Sequence, residues 1–142
     1  MNLVNQIKGD QHTDERGKLT FFNTFDMREI VRFYEIAPSS NQTVRAWQGH
    51  HKEKKWFFCT AGTFVVNLKR INDESSQPKD LVVQRFELSE KNPMVLEVPG
   101  GYASGFKSLV ENSKLMVFSN FSLEESKNDD LRFPLEQWEA EW

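Results

Sequence analysis

The sequence predicts an all-β domain, a sandwich or a barrel, and three observations carry that expectation. Strand-like runs rich in Val, Phe, Leu and Trp recur along the chain, several of them alternating apolar with polar residues. Gly, Pro, Asn and Ser break these runs into short pieces. Only two segments carry a helical pattern, and both are brief. Many short strands between turn signals suit a fold in which each strand turns one face to a shared core.

The elements follow in order. DERG, residues 14 to 17, reads as a turn, with Gly17 supplying a backbone angle that other residues avoid. KLTFFNTF follows as a strand, and FDMREIV fits one helical turn. IVRFYEIA is a strand stopped at Pro38, and the polar PSSNQ leads into TVRAWQGH. KWFFCTAG and TFVVNLKRI abut at Ala61 and Gly62, which predicts a tight hairpin. NDESSQPKD, residues 72 to 80, predicts a long exposed loop. LVVQRFELS and MVLEVP are strands, and VPGGYASGF, with three glycines beside a proline, reads as a sharp bend. KLMVFSNFS is a further strand, and SLEESKNDDLRF predicts a short acidic helix. The tail LEQWEAEW carries two tryptophans that are costly to leave in water, so it is expected on the barrel or on a second subunit.

A chain of 142 residues fits one domain with a real core, and its twelve Phe and four Trp predict a core rich in rings. The net charge of -3 argues against a nucleic-acid partner. No apolar run is long enough for a membrane span, and MNLVNQIKGD lacks the apolar stretch of a secretion signal. The single cysteine, Cys59, excludes an internal disulfide and fits a reducing, cytoplasmic compartment. Cys59 lies in an apolar strand and reads as a buried structural thiol.

VRAWQGHHKEKK holds two of the three histidines, His50 and His51. Adjacent histidines on a strand point to opposite faces, whereas a strand-borne metal pair wants one residue between them; no metal site is expected. On a period of two, Gln48 and His50 share one face, while Arg45, Trp47 and His51 share the other. One β-bulge, with QG as its expected place, brings Arg45 to the Gln48 side. Arg45 and Lys55, on successive strands, then converge on an anion. The same lysines also fit a solvated strand end, and Tyr34 in RFYEI also fits a half-buried strand residue. The residues alone leave these readings open.

In order along the chain, DERG, RFYEI, VRAWQGH, KWFFCTAGTFVVNL, VPGGYASGF and DDLRFP resemble the dTDP-4-dehydrorhamnose 3,5-epimerase family and the related dTDP-4-keto-6-deoxyhexose 3,4-ketoisomerases. The resemblance covers roughly residues 9 to 134. It implies a cupin-type double-stranded β-helix, an antiparallel jelly-roll barrel, here with a short C-terminal helical segment. It also implies a homodimer exchanging edge strands and no metal or organic cofactor. The implied substrate is a nucleotide-activated deoxysugar used in surface polysaccharide biosynthesis.

Residue by residue, Arg45 matches the epimerase arginine that binds the nucleotide diphosphate, with Ala46 replacing a glycine. Gln48 stands where the epimerases carry their proton-abstracting histidine, and an amide is no general base. The ketoisomerases carry two histidines at this spacing, and Gln48 and His50 take their places. Lys55 matches a substrate-binding lysine, and Arg16 resembles an arginine that reaches the nucleotide, often from the neighbouring subunit. Ser104 replaces a histidine in PGGYASGF, and Val117 and Phe118 stand where the epimerases keep an acidic tyrosine. Tyr34 corresponds to a strand tyrosine implicated in the ketoisomerases. The resemblance therefore implies His50 as base, Tyr34 as acid and Gln48 as a group polarising the sugar carbonyl. Arg16, Arg45, Lys55 and Ser104 are the implied substrate-binding residues. A non-catalytic sugar-nucleotide-binding cupin is the alternative, and a metal-dependent cupin enzyme is a third.

Overall fold

The computed structural model describes residues 3–72 and 82–142. Its strands are β1 (Asn5–Lys8), β2 (Asp10–Asp14), β3 (Gly17–Phe21), β4 (Arg32–Ile36), β5 (Val44–His50) and β6 (Lys55–Ala61). They continue with β7 (Thr63–Arg70), β8 (Gln84–Ser89), β9 (Met94–Val98), β10 (Tyr102–Ser108), β11 (Lys114–Ser119) and β12 (Leu131–Arg132). Helix α1 (Leu123–Lys127) follows β11, and a 3-10 turn covers Leu135–Gln137. One sheet runs β1-β9-β6-β11-β4 and the other β12-β5-β10-β7-β8, with β2 and β3 as a separate hairpin. The two antiparallel sheets face each other across one core, a jelly-roll barrel of the cupin type.

The core follows from strand alternation. Phe57 and Cys59 of β6, Leu96 and Val98 of β9, and Leu115 and Val117 of β11 meet Phe64, Val66 and Leu68 of β7 and Leu88 of β8. Cys59 is buried among them, and burial pushes its thiol up to about 11, so it is an inert core residue. The outer faces are covered too. Phe25 packs on Trp56 and Phe118, and Phe22 on Phe58, behind the first sheet. Behind the second, Trp138 and Trp142 pack on Trp47 at 5.3 and 5.4 Å. The Trp47 indole donates to the Leu135 carbonyl, and the Asn67 amide to that of Glu141. The tail tryptophans thus find their cover on their own barrel.

Several expectations change. Ala61 and Gly62 do not close a hairpin, because β6 and β7 belong to opposite sheets. Gly62 turns the corner with φ 72°, and a Cβ there would collide with Ser113. Its amide donates to Glu90, and Thr63 N to Ser113 Oγ at 3.2 Å. FDMREIV forms no helix: Asp26 accepts from the Arg28 amide, and one turn closes from Ile30 N to Met27 O. Strands β1 and β2 were not expected, because their residues are mostly exposed and carry little apolar alternation. The acidic helix is only five residues long, with Ser122 and Glu125 forming a capping box. In VPGGYASGF only Gly100 and Gly101 bend; Gly105 lies within β10. The loop expected at 72 to 80 falls, apart from Asn72, outside the described residues. Among the described residues no helix is long and apolar enough to cross a membrane.

Candidate active site

A cavity of about 630 Å³ opens between the sheets. Tyr34, Arg45, Gln48, Lys55 and Ser104, five of the seven residues expected in the site, line it. Arg45 reaches it through a bulge. Along β10, Ser104 pairs with Gln48 but Phe106 pairs with Arg45, so β5 carries one extra residue there. That slip puts Arg45 on the face of Gln48. The extra residue falls at Ala46 and Trp47, not at the expected Gln48 and Gly49. Gly105 makes room for it, since a Cβ at that position would meet Ala46. Lys55 approaches from β6 in the opposite sheet, so it faces Arg45 across the barrel and not across a ladder.

Gln48 is held at both ends. Its Oε1 accepts from Lys55 Nζ at 3.3 Å, and its Nε2 donates to Asp130 Oδ1 at 3.1 Å. Lys55 is buried, and burial holds its ammonium below the ordinary lysine value. Burial likewise pushes the Tyr34 phenol up, so it stays protonated at neutral pH. The Arg32 guanidinium and the Lys55 ammonium lie over the Tyr34 ring, at 5.3 and 5.9 Å. Arg132, paired with Asp130 at 2.8 Å, adds a cation to the wall that the sequence did not point to.

His50 sits one layer deeper. It borders a small inner chamber behind Lys55, Phe57 and Ser104. Its Nδ1 lies 2.6 Å from the Asp129 carbonyl and 3.3 Å from Glu53 Oε1. Both neighbours accept, so Nδ1 carries the proton and Nε2 keeps its lone pair. Nε2 is buried without a partner. Burial, with the Lys55 charge second, holds the imidazole below its ordinary pKa. The arrangement places a neutral imidazole with an unpartnered nitrogen behind the wall of a cationic cavity.

The Asp129 carboxylate accepts from the amides of His51, Lys52 and Glu53 at 2.7 to 2.8 Å. Burial opposes its ionisation, yet these amides hold it below the usual carboxylate range. The turn after α1 thereby fixes the β5–β6 connection that follows His50. Exposed His51 takes part only through its backbone. Arg16 is not brought to the cavity; it is 82% exposed on the β2–β3 turn and pairs with Asp14. Glu53, Arg32, Asp129 and Arg132 are the neighbours that the sequence did not assign. The HHKE spacing and DDLRF were visible signals, but nothing local says that they meet. No three His, Cys, Asp or Glu side chains among the described residues form a metal-ligand group.

No protein-family model matches the chain. The spore coat polysaccharide biosynthesis protein SpsL of Bacillus subtilis is 27% identical over 135 residues, covering 92% of this chain and 85% of its own. The Mycobacterium tuberculosis rmlC epimerase superposes with a TM-score of 0.76 at 17% identity, covering 92% of this chain and 68% of its own. QdtA, a sugar 3,4-ketoisomerase from Thermoanaerobacterium thermosaccharolyticum solved in complex with TDP, superposes at 0.69 with 24% identity, covering 92% and 88%. The fold is therefore one shared with sugar epimerases and ketoisomerases.

Proposed function

We propose that the chain is a cofactor-independent isomerase or epimerase of a nucleotide-activated 4-keto-6-deoxyhexose. The observation that carries the reading is a cationic cavity backed by a buried imidazole with a free Nε2, the cavity and the chamber of His50 sharing Lys55, Phe57 and Ser104 as their common wall. The space, about 630 Å³, suits a ligand of this size. Arg45 and Arg132 would hold the diphosphate, with the sugar carried inward past Ser104. His50 Nε2 takes the proton on the carbon beside the ketone, and the electron pair moves onto the carbonyl oxygen. Lys55 and the Gln48 amide stabilise that oxyanion, and Tyr34 returns a proton. Arg16 is proposed to serve the site of a second copy in a homodimer, where its exposed turn would reach the partner's nucleotide. The likeness to SpsL supports a role in surface polysaccharide biosynthesis, which is proposed to take place in the cytoplasm.

The test is proton NMR of dTDP-4-keto-6-deoxyglucose in heavy water with catalytic protein. Deuterium beside the ketone, or a migrated ketone, is expected. His50→Asn should abolish the exchange while dTDP still binds; unchanged exchange in that variant removes His50 from the role of base. A second reading, a non-catalytic sugar-nucleotide-binding cupin, is favoured by one observation: an amide, Gln48, faces the main cavity while His50 lies behind it. Line broadening without exchange over hours would select that reading.

A further inference from the structure

Beneath His50 lies a charged group that touches neither the main cavity nor solvent. Glu53 is 1% exposed, in the connection between β5 and β6. Its Oε2 accepts from Ser119 Oγ at 2.6 Å and from Arg32 at 3.3 Å. Its Oε1 accepts from Ser126 Oγ at 2.7 Å and lies 3.3 Å from His50 Nδ1. Three elements thus converge on one carboxylate: β4 through Arg32, β11 through Ser119 and α1 through Ser126. A buried carboxylate is costly unless donors surround it, and breaking such a group is worse than replacing it whole. Here the donors aim one oxygen at the imidazole. The other is tied to the guanidinium that lies over Tyr34.

We propose that Glu53 is the positioning residue of the site. Its charge adds to the Asp129 carbonyl, which accepts the Nδ1 proton, in favouring the Nδ1–H tautomer of His50, and with Arg32 it sets the charge balance that keeps the base neutral yet basic. The proposal rests on reading His50 as the base. The charged and titratable groups around the imidazole are Glu53, Lys55 on β6, Asp129 and Asp130 behind α1, and Tyr102 on β10. Burial and Lys55 disfavour the imidazolium, while Glu53 and Asp129 favour it. Arg32, 3.3 Å from Glu53, offsets part of the carboxylate's charge. The two partners should therefore act with opposite sign, which a merely structural role would not produce.

The experiment is long-range proton–nitrogen NMR of the full chain labelled at histidine, with the His50 signal identified by its loss in His50→Asn. In the unsubstituted chain a neutral Nδ1–H imidazole, titrating below the ordinary value, is expected. In Glu53→Gln the His50 titration should fall further, by about one pH unit. In Arg32→Gln it should rise. A titration unmoved in either variant, or moved the same way in both, overturns the proposal. Should Glu53→Gln fail to fold, Arg32→Gln decides alone: a rise supports the proposal and no movement overturns it. In turnover, the acidic limb of kcat should follow the imidazole while KM stays within about twofold, because Glu53 does not border the main cavity. The NMR arm needs no substrate. Titrations as expected in a chain without turnover would leave the positioning role standing and remove only the enzymatic reading.

Discussion

Arg45 and Arg132 reach the same cavity from different strands, and their situations differ. Arg45 is exposed and forms no ion pair with a described residue, whereas Arg132 is held by Asp130. A diphosphate would meet Arg45 ready and Arg132 already engaged. Arg45→Ala should therefore weaken dTDP by about 1.5–3 kcal/mol, roughly tenfold to a hundredfold, and Arg132→Ala by less. Calorimetric titration of dTDP gives both values; equal losses would mean that Asp130 releases Arg132 on binding. His50 bears on stability as well as on chemistry. Its folded pKa lies below the unfolded value, so between those two values the unfolded chain binds more protons. Its contribution is fully present above the unfolded value, about 6.5, and is lost as pH falls through the folded one. Urea midpoints should drop over that window in the unsubstituted chain and less steeply in His50→Asn. A parallel drop in both would assign the acid sensitivity to other groups.

The turn between α1 and β12 organises the site although it contributes no lining residue before Arg132. Asp129 holds three successive amides with its carboxylate and His50 with its carbonyl. Asp129→Ala leaves those amides without their partner, close to a buried carboxylate. A loss of about 1–3 kcal/mol in urea unfolding is expected. Asn restores one acceptor, so Asp129→Asn should recover part of that loss; no recovery would place the effect elsewhere. Strand β5 shows how an element is re-aimed by a single residue. Its bulge is accommodated only because Gly105 stands opposite Ala46. DERG could be read as a turn because its signal is local: Gly17 sits at φ 128°. Ala61 and Gly62 suggest a hairpin because a tight turn between strands looks alike whether its strands pair or, as here, part into opposite sheets.

Across the molecule, the outer face of the second sheet is covered by the chain's own C-terminal segment. The segment after Pro134 lays Trp138 and Trp142 on Trp47 behind the strand that carries Arg45, Gln48 and His50. Removing residues 135–142 strips two large rings and the Trp47 indole acceptor from that strand. A loss of about 3–5 kcal/mol is expected, on the scale of burying large aromatic side chains, and thermal unfolding would register it. A truncated chain with unchanged Tm would show that the tail only covers and does not stabilise. Facing sheets also explain the site's depth: strands adjacent in sequence, β5 and β6, supply opposite walls.

The all-β class, the ring-rich core and the buried thiol are legible in the sequence, because they follow from strand alternation, turn chemistry and residue type, all of them local. Five of the residues around the cavity come from the family resemblance, and Arg132 from neither. That Arg45 faces inward, that Lys55 arrives from the opposite sheet, and that His50 lies behind Gln48 on Glu53 is visible in the folded chain alone. Each of these depends on contacts between residues far apart in the chain, such as Gly105 with Ala46 or Asp129 with His50. Spacing along one strand carries no record of what stands across from it.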